Sequence, residues 1–178
     1  MELISKISGQ VTPGTIMEML RKGLLNEGAV LEFGKEAWKV LEVDTINKAA
    51  LLFRIRGERS EVHFNRNGSN MYAGSDIQEY LEDVFFETLP EELKILAMEV
   101  PGCFLLSTDE VLRYMPKEID RIVCDEHGNT SRWWTRTPVK DYRNEKIYTY
   151  AVLPGGEIIK DVTEYESNTV LACGLWIR

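Results

Sequence analysis

The hydrophobic and polar positions of the chain first predict three strands. The apolar runs are separated by two short polar turns, and they cover residues 29–33, 38–43 and 49–55. Runs of this length joined by short turns are typical of an antiparallel meander. The polar stretch 57–74, rich in Gly, Asn, Ser and Arg, is predicted to be an irregular loop.

The middle of the chain changes to helical spacing. Ser75 fits an N-cap with Gln78 as its capping-box partner. The apolar stripe behind it consists of Ile77, Tyr80, Leu81, Val84 and Phe85. Pro90 starts a second predicted helix, and Ser107-x-x-Glu110 is a capping box that opens a third. Pro116 ends that third helix.

The last third of the chain returns to strand patterns. The predicted strands are 104–106, 133–136, 147–153, 157–162 and 169–177. Pro154-Gly155-Gly156 is a hairpin turn between two of them. Antiparallel strands with two to three helices grouped in the middle of the chain indicate an α+β fold.

An apolar stripe near the N-terminus is formed by Ile16, Met17, Leu20 and Leu24. We therefore divide the chain into an N-terminal extension with a short helix, 1–28, and a single domain, 29–178. The stripe either covers the domain's own core, which we favour, or makes a homo-oligomer contact.

Length and charge narrow the function classes. The chain has 178 residues, 44% of them hydrophobic, and needs no disulfide to build a core. Its net charge of −8 argues against general nucleic-acid binding. No apolar run approaches the roughly 20 residues of a membrane helix, and no signal peptide is visible. We expect a soluble protein without membrane partner, cytoplasmic or associated with a phage particle.

Metal and cysteine chemistry find little support in the sequence. Only two histidines occur, and neither belongs to a ligand-spaced cluster. Cys103 and Cys173 fit small core residues, and the acidic neighbours of Cys124 disfavour a thiolate nucleophile there. We therefore predict no metal and no cofactor, and we favour a non-enzymatic function. Cys103 and Cys124 are the only pair that an enzyme hypothesis could use.

The most conspicuous candidate site is Trp133-Trp134-Thr135-Arg136. In strand geometry Trp134 and Arg136 share one face. Either Trp134 is an exposed platform that stacks a flat ligand beside Arg136, or both side chains are packed, which we favour. The two polar loops, 57–74 and 139–146, supply the other candidates. The predicted ligand-binding residues are Trp134, Arg136, Arg59, Tyr72, Tyr142 and Arg143.

These motifs, with Phe104-Leu105-Leu106-Ser107 and the closing Leu175-Trp176-Ile177, resemble a bacterial and phage domain family of unknown function. Its members carry a WWLRSPG segment and end in GVRPALWI. The resemblance covers residue 29 to the end. The chain departs from the pattern at Gln78, Ala172 and Cys173, where the family has Arg, Arg and Pro.

That family is similar to the C-type-lectin-like fold of formylglycine-generating enzymes and phage receptor-binding proteins. The resemblance implies a compact α+β domain with adjacent termini, irregular loops and a tryptophan core. Our first hypothesis is a binding module for a protein or glycan. The alternatives are an assembly component of a phage or prophage particle and an enzyme related to formylglycine-generating oxidases.

Overall fold

A computed structural model of the chain describes residues 6–7, 12–98, 102–140, 147–162 and 166–178. It has an α+β fold whose strands are mostly antiparallel. The strands are β1 Lys6–Ile7, β2 Val30–Phe33, β3 Glu36–Asp44, β4 Ala49–Arg56, β5 Arg59–His63, β6 Cys103–Phe104, β7 Val123–Cys124, β8 Thr130–Ser131, β9 Trp133–Pro138, β10 Tyr148–Val152, β11 Ile158–Val162, β12 Glu166–Val170 and β13 Gly174–Ile177.

The described residues contain four helices, all of them before residue 115. The second is continuous but has a π-helical middle, and a 3-10 turn, Glu118–Arg121, follows the fourth. The helices are α1 Pro13–Lys22, α2 (Asp76–Glu79, π-helical Tyr80–Phe85 and Phe86–Thr88), α3 Glu91–Lys94 and α4 Thr108–Tyr114.

The main sheet has the order β1-β2-β3-β4-β13-β6, and β7 pairs with β4 and β8. The predicted meander β2-β3-β4 is confirmed. Strands β11-β10-β9 and β12-β5 form two smaller antiparallel sheets. The resemblance implies adjacent termini, but β3 and β4 separate β2 from β13 in the sheet.

Strand β4, in the middle of the main sheet, is buried on both faces. Its alternate residues therefore belong to two different hydrophobic clusters. Ala50 and Leu52 join the cluster that contains α1 and α2, whereas Leu51 and Phe53 join the one that contains α4. A strand buried on both faces reads as a continuous apolar run. The run of apolar residues from 49 to 53 has this origin.

Helix α1 belongs to the core of the domain. Its N-cap is Thr12, whose side chain accepts a hydrogen bond from the Thr15 N–H. Ile16 and Leu20 are buried, Met17 packs against the same cluster, and Leu24 is exposed. These positions agree with the favoured alternative, in which the stripe covers the core. Leu24 is the exposed residue of the stripe, and it remains available for the alternative, an oligomer contact.

Two predicted elements are wrong in detail. Residues 59–63 lie within the predicted loop, but they form β5 and pair with β12. The single predicted strand 169–177 is two strands: β12 pairs with β5, and β13 inserts between β4 and β6. The pairing partners lie far apart in sequence, so local patterns could not reveal them.

Candidate functional site

Trp133 and Trp134 point in opposite directions, as strand alternation predicts, but both are buried. Trp133 is in the α4-side cluster and donates from Nε1 to the Arg121 carbonyl at 3.0 Å. Trp134 is 2% exposed, and the Arg132 guanidinium covers its ring at 4.7 Å. Of the two alternatives for Trp134, the structure agrees with the favoured one, in which the side chain is packed, because burial leaves no ring face for a stacked ligand.

Arg136 holds the start of α4 in place. Its guanidinium donates to the Leu105 carbonyl at 2.5 Å and to Glu110 Oε1 at 2.7 Å. Glu110 Oε2 in turn accepts from the Ser107 N–H, which completes the predicted capping box. The partners of Arg136 are therefore structural ones.

Two of the loop candidates are also engaged with the fold. The Tyr72 hydroxyl accepts from the Leu105 N–H at 3.3 Å, and burial raises the pKa of Tyr72 to about 12. Arg59 donates to Asp125 and to the carbonyls of Asn168 and Thr130. The other two candidates, Tyr142 and Arg143, lie outside the described residues.

The cysteine pair of the enzyme hypothesis is not brought together. Cys103 and Cys124 lie on β6 and β7, which do not pair with each other. The Cys173 thiol is instead hydrogen-bonded to that of Cys103, and burial raises the pKa of Cys173. A buried thiol with a raised pKa is a poor nucleophile.

A cavity of about 530 Å³ opens between the β2–β3 turn, the start of β5 and helix α2. We call it the Arg54 cavity. Its lining residues are Phe33, Gly34, Lys35, Glu36, Arg54, Glu58, Arg59, Ser60, Tyr80, Phe85, Thr88 and Pro90. Cavities of this volume accommodate small ligands or the side chains of a partner.

Arg54 is 2% exposed, an unusual environment for an arginine. Its guanidinium donates to Glu36 Oε1 at 2.6 Å and to the Leu171 carbonyl at 3.3 Å, and it lies 4.8 Å from the centre of the Phe85 ring. Gly57 is next to the same guanidinium, where a Cβ atom would overlap it. These contacts fix the arginine rigidly in the wall of the cavity.

A second cavity of about 450 Å³ adjoins the first along β5 and α2. We call it the acidic cavity. Its lining residues are Glu61, Val62, His63, Arg66, Asp76, Glu79, Tyr80, Asp83 and Val84. Tyr80 lines both cavities, so the two lie side by side between β5 and α2, and we refer to them together as the groove.

The charges of the acidic cavity are only partly balanced. Hydrogen bonds from the Arg66 side chain and backbone hold the pKa of Asp76 below its usual range. Glu61, Glu79 and Asp83 make no ion pair within the described residues. The cavity therefore presents unpaired negative charge to solvent.

Irregular backbone occurs on both sides of Arg54. Residues Tyr80–Phe85 are π-helical, a rare arrangement that is frequent at functional sites. In the sheet, Ala37 pairs with Arg56 but Trp38 pairs with Arg54, so Ile55 is a β-bulge. Bulges are over-represented beside active sites because they redirect a side chain.

Two buried polar side-chain atoms lack a hydrogen-bond partner within the described residues, and both are close to β5. One is Arg54 Nε, and the other is Thr169 Oγ1 on β12, opposite Ser60. An unsatisfied buried group costs about 1–3 kcal/mol, and such groups are uncommon in native proteins. Arg54 lines the Arg54 cavity, whereas Thr169 is not among the residues that line either cavity.

No protein-family model matches the sequence, and no curated protein and no solved structure matches it either. Within the described ranges, no group of three or more potential metal ligands occurs and no helix is long and apolar enough to cross a membrane. Function therefore rests on the geometry of the groove.

Two features of the sequence could have pointed to the groove, but periodicity and capping patterns do not include them. Arg54 interrupts the apolar run of β4 at a position that points into the protein. Val84, expected in the packed stripe of α2, is 47% exposed because the π-helical segment shifts the register. A charge inside a buried strand and an apolar residue left in solvent are both marks of a site.

Proposed function

We propose that this chain is a non-enzymatic binding module that recognises a segment of another protein in the groove between β5 and α2. The observation that carries the proposal is the pair of adjoining cavities that share Tyr80. Sites of this kind combine apolar walls with a few fixed polar groups. Tyr80 and Val84 supply the accessible apolar walls, the buried Arg54 holds the floor of the groove in place, and exposed charged side chains at both ends supply the polar groups.

We propose that the domain that carries the groove has a C-type-lectin-like fold. The α+β architecture supports it, as do the position of Trp133-Trp134-x-Arg136 under the capped helix α4 and of Leu175-Trp176-Ile177 in the central sheet. Rigid elements border the groove. Of the predicted site residues, Trp134, Arg136 and Tyr72 hold the scaffold together, whereas Arg59 does so and also lines the Arg54 cavity.

A protein segment is favoured over a glycan because of the charges that line the groove. Lys35, Arg54 and Arg59 lie at one end, and four carboxylates lie at the other. Protein segments carry charges of both signs, and complementary charges give specificity and fast association. Neutral sugars would instead use aromatic platforms, and the tryptophans Trp133 and Trp134 are buried.

Filling the groove tests the proposal. The intact chain is screened against immobilised glycans and a displayed peptide library, and each binder is measured with Val84→Trp and Leu112→Trp. The two residues are matched: both are helical, with exposed fractions of 47% and 49%, but only Val84 lines the groove. We expect at least tenfold weaker binding for Val84→Trp and unchanged binding for Leu112→Trp.

Thermal unfolding of both variants checks that they are folded. The proposal is wrong if no binder is found, or if every binder is insensitive to Val84→Trp. Equal weakening by both variants also contradicts it, because the effect would not be specific to the groove.

A further inference from the structure

Strand β5 has one unpaired edge within the described residues. It belongs to a two-stranded sheet, and β12 occupies one side only. An unpaired edge presents backbone N–H and C=O groups at a regular spacing, and it is a template for another strand. The open edge of β5 is therefore able to pair with an extended segment.

The groove follows this edge. Glu58, Arg59 and Ser60 line the Arg54 cavity, and Glu61, Val62 and His63 line the acidic cavity. Successive side chains of a strand point to opposite faces, so a groove lined by six consecutive residues runs beside the strand and not over one face. Six residues extend for roughly 20 Å.

The opposite wall of the groove is α2. Tyr80 and Val84 line it and are not fully buried, so an added strand would have β5 on one side and these side chains on the other. Main-chain pairing with a strand edge, together with pockets for alternate side chains, is a known mode of peptide recognition.

Charge selects the ligand further. At the Arg54 end, each cation already has a partner: Lys35 pairs with Glu58, Arg54 with Glu36, and Arg59 with Asp125. At the other end, Glu61, Glu79 and Asp83 form no ion pair with a described residue; Arg66, which is near Glu79, is paired with Asp76. The unbalanced charge of the groove is negative, which favours a cationic side chain in the ligand.

We infer that the groove binds an extended peptide segment that pairs with the edge of β5 and places a Lys or Arg side chain in the acidic cavity. This inference rests on the proposed function and names its ligand class and binding mode. The peptide backbone would pair with the backbone of β5, and its cationic side chain would contact the carboxylates of Glu61, Glu79 and Asp83.

The probe is a random 12-residue peptide library displayed on phage and selected on the intact chain. An enriched peptide is synthesised and N-methylated at one position at a time. Pairing with a strand edge uses every second N–H group of the ligand. We expect alternate positions to weaken binding at least tenfold and the intervening positions to tolerate the methyl group.

The charge contact is tested on both molecules. Replacing the essential Arg of the peptide with neutral citrulline, or combining Glu61→Gln, Glu79→Gln and Asp83→Asn in the protein, should each weaken binding about tenfold. The two changes together should cost little more than one alone. The matched control combines Glu27→Gln, Glu92→Gln and Asp109→Asn, three exposed acids outside the groove, and should bind like wild type.

The outcomes separate the two proposals. A glycan whose binding is lost in Val84→Trp overturns both proposals, because each names a protein segment as the ligand. A peptide whose binding is lost in Val84→Trp but that tolerates N-methylation at every position supports the proposed function and overturns the inference. Failure to enrich any peptide overturns the inference, as does a peptide that tolerates N-methylation at every position. A peptide that binds equally well to the triple groove variant overturns the charge contact.

Discussion

At the scale of residues, Arg54 organises the candidate site. It is a buried cation that pairs with Glu36 and lies between Phe85 and Gly57. Breaking a buried ion pair by removing one partner typically costs about 3–5 kcal/mol because the remaining charge is left without compensation. The site is therefore sensitive to small changes next to this side chain.

Gly57→Ala tests that sensitivity. The added methyl group would overlap the Arg54 guanidinium, which is held on several sides and has little room to move. We expect a loss of about 1–3 kcal/mol in the free energy of unfolding, as for other overpacked sites. Urea denaturation monitored by tryptophan fluorescence gives the value.

The control for this change is Gly14→Ala, where the nearest atom to the added methyl is 3.9 Å away. Gly14 lies in the first turn of α1, where Ala favours the helix more than Gly does. The stability of the Gly14→Ala variant should therefore equal that of wild type or be slightly higher. A double-mutant cycle with Arg54→Met should show that Gly57→Ala costs less once the guanidinium is gone. Equal costs in both backgrounds would contradict the steric explanation.

At the scale of elements, the predicted caps and turns formed where their partners were close in sequence. Ser107 and Glu110 close their box, whereas Gln78 Oε1 accepts from the N–H of Gly74, one residue before the predicted donor, the N–H of Ser75. The π-helical segment was not predicted, and at its end Phe85 packs on Arg54, a residue distant in sequence. Local spacing contains no information about that contact.

The turn at 125–129 joins β7 to β8 and connects to β5 through a single carboxylate. Asp125 accepts hydrogen bonds from the Arg59 side chain and from the N–H groups of His127 and Asn129. Burial alone would raise the pKa of Asp125, but these hydrogen bonds outweigh it and hold the pKa well below its usual range.

This lowered pKa predicts how stability depends on pH. The folded state binds the Asp125 proton more weakly than the unfolded chain, whose carboxyl titrates near about 4. The contribution of Asp125 is therefore fully present above about pH 4 and decreases as the pH falls further. We expect Asp125→Asn to be less stable than wild type at pH 7, with a difference that narrows below about pH 4.

Urea midpoints measured from pH 7 down to pH 2.5 check this expectation. Glu27→Gln, an exposed acid without an ion pair in the described part of the chain, is the control and should follow wild type throughout. A difference for Asp125→Asn that is constant or grows at low pH would contradict the assigned hydrogen bonds.

At the scale of the whole molecule, helix α1 and the domain share one core. Ile16 is fully buried in the cluster that also contains Leu52 and Leu81. The sequence pattern alone predicts an extension, 1–28, and a separate domain, 29–178. If α1 is part of the domain, its buried residues must contribute to the stability of the whole.

Ile16→Ala is expected to lower the free energy of unfolding by about 2–5 kcal/mol, the usual cost of truncating a buried aliphatic side chain. Leu24→Ala, at a position 57% exposed, should change it by less than about 0.5 kcal/mol. Thermal unfolding of both variants measures these changes in stability. The molecular mass of each variant in solution checks that its oligomeric state is the same as that of wild type. An unchanged midpoint for Ile16→Ala would show that residues 1–28 are an independent extension.

The elements that could be predicted from the amino-acid order are those whose signals lie within a few neighbouring residues. Alternation gave β2, β3 and β4, capping gave α2 and α4, and Pro154-Gly155-Gly156 gave the β10–β11 hairpin. The opposite faces of Trp133 and Trp134 followed from strand geometry alone. Such features depend on residues a few positions apart, so one chain carries enough information to predict them.

Tertiary structure decided the candidate site. Arg54, Tyr80 and the edge of β5 come from three separate segments, and the groove exists only because α2 packs beside β5. Trp134 and Arg136 looked like a site because their residue types are conspicuous, but burial and hydrogen bonding made them part of the scaffold. Whether a polar or aromatic side chain binds a ligand depends on what covers it, and contacts between distant segments decide that.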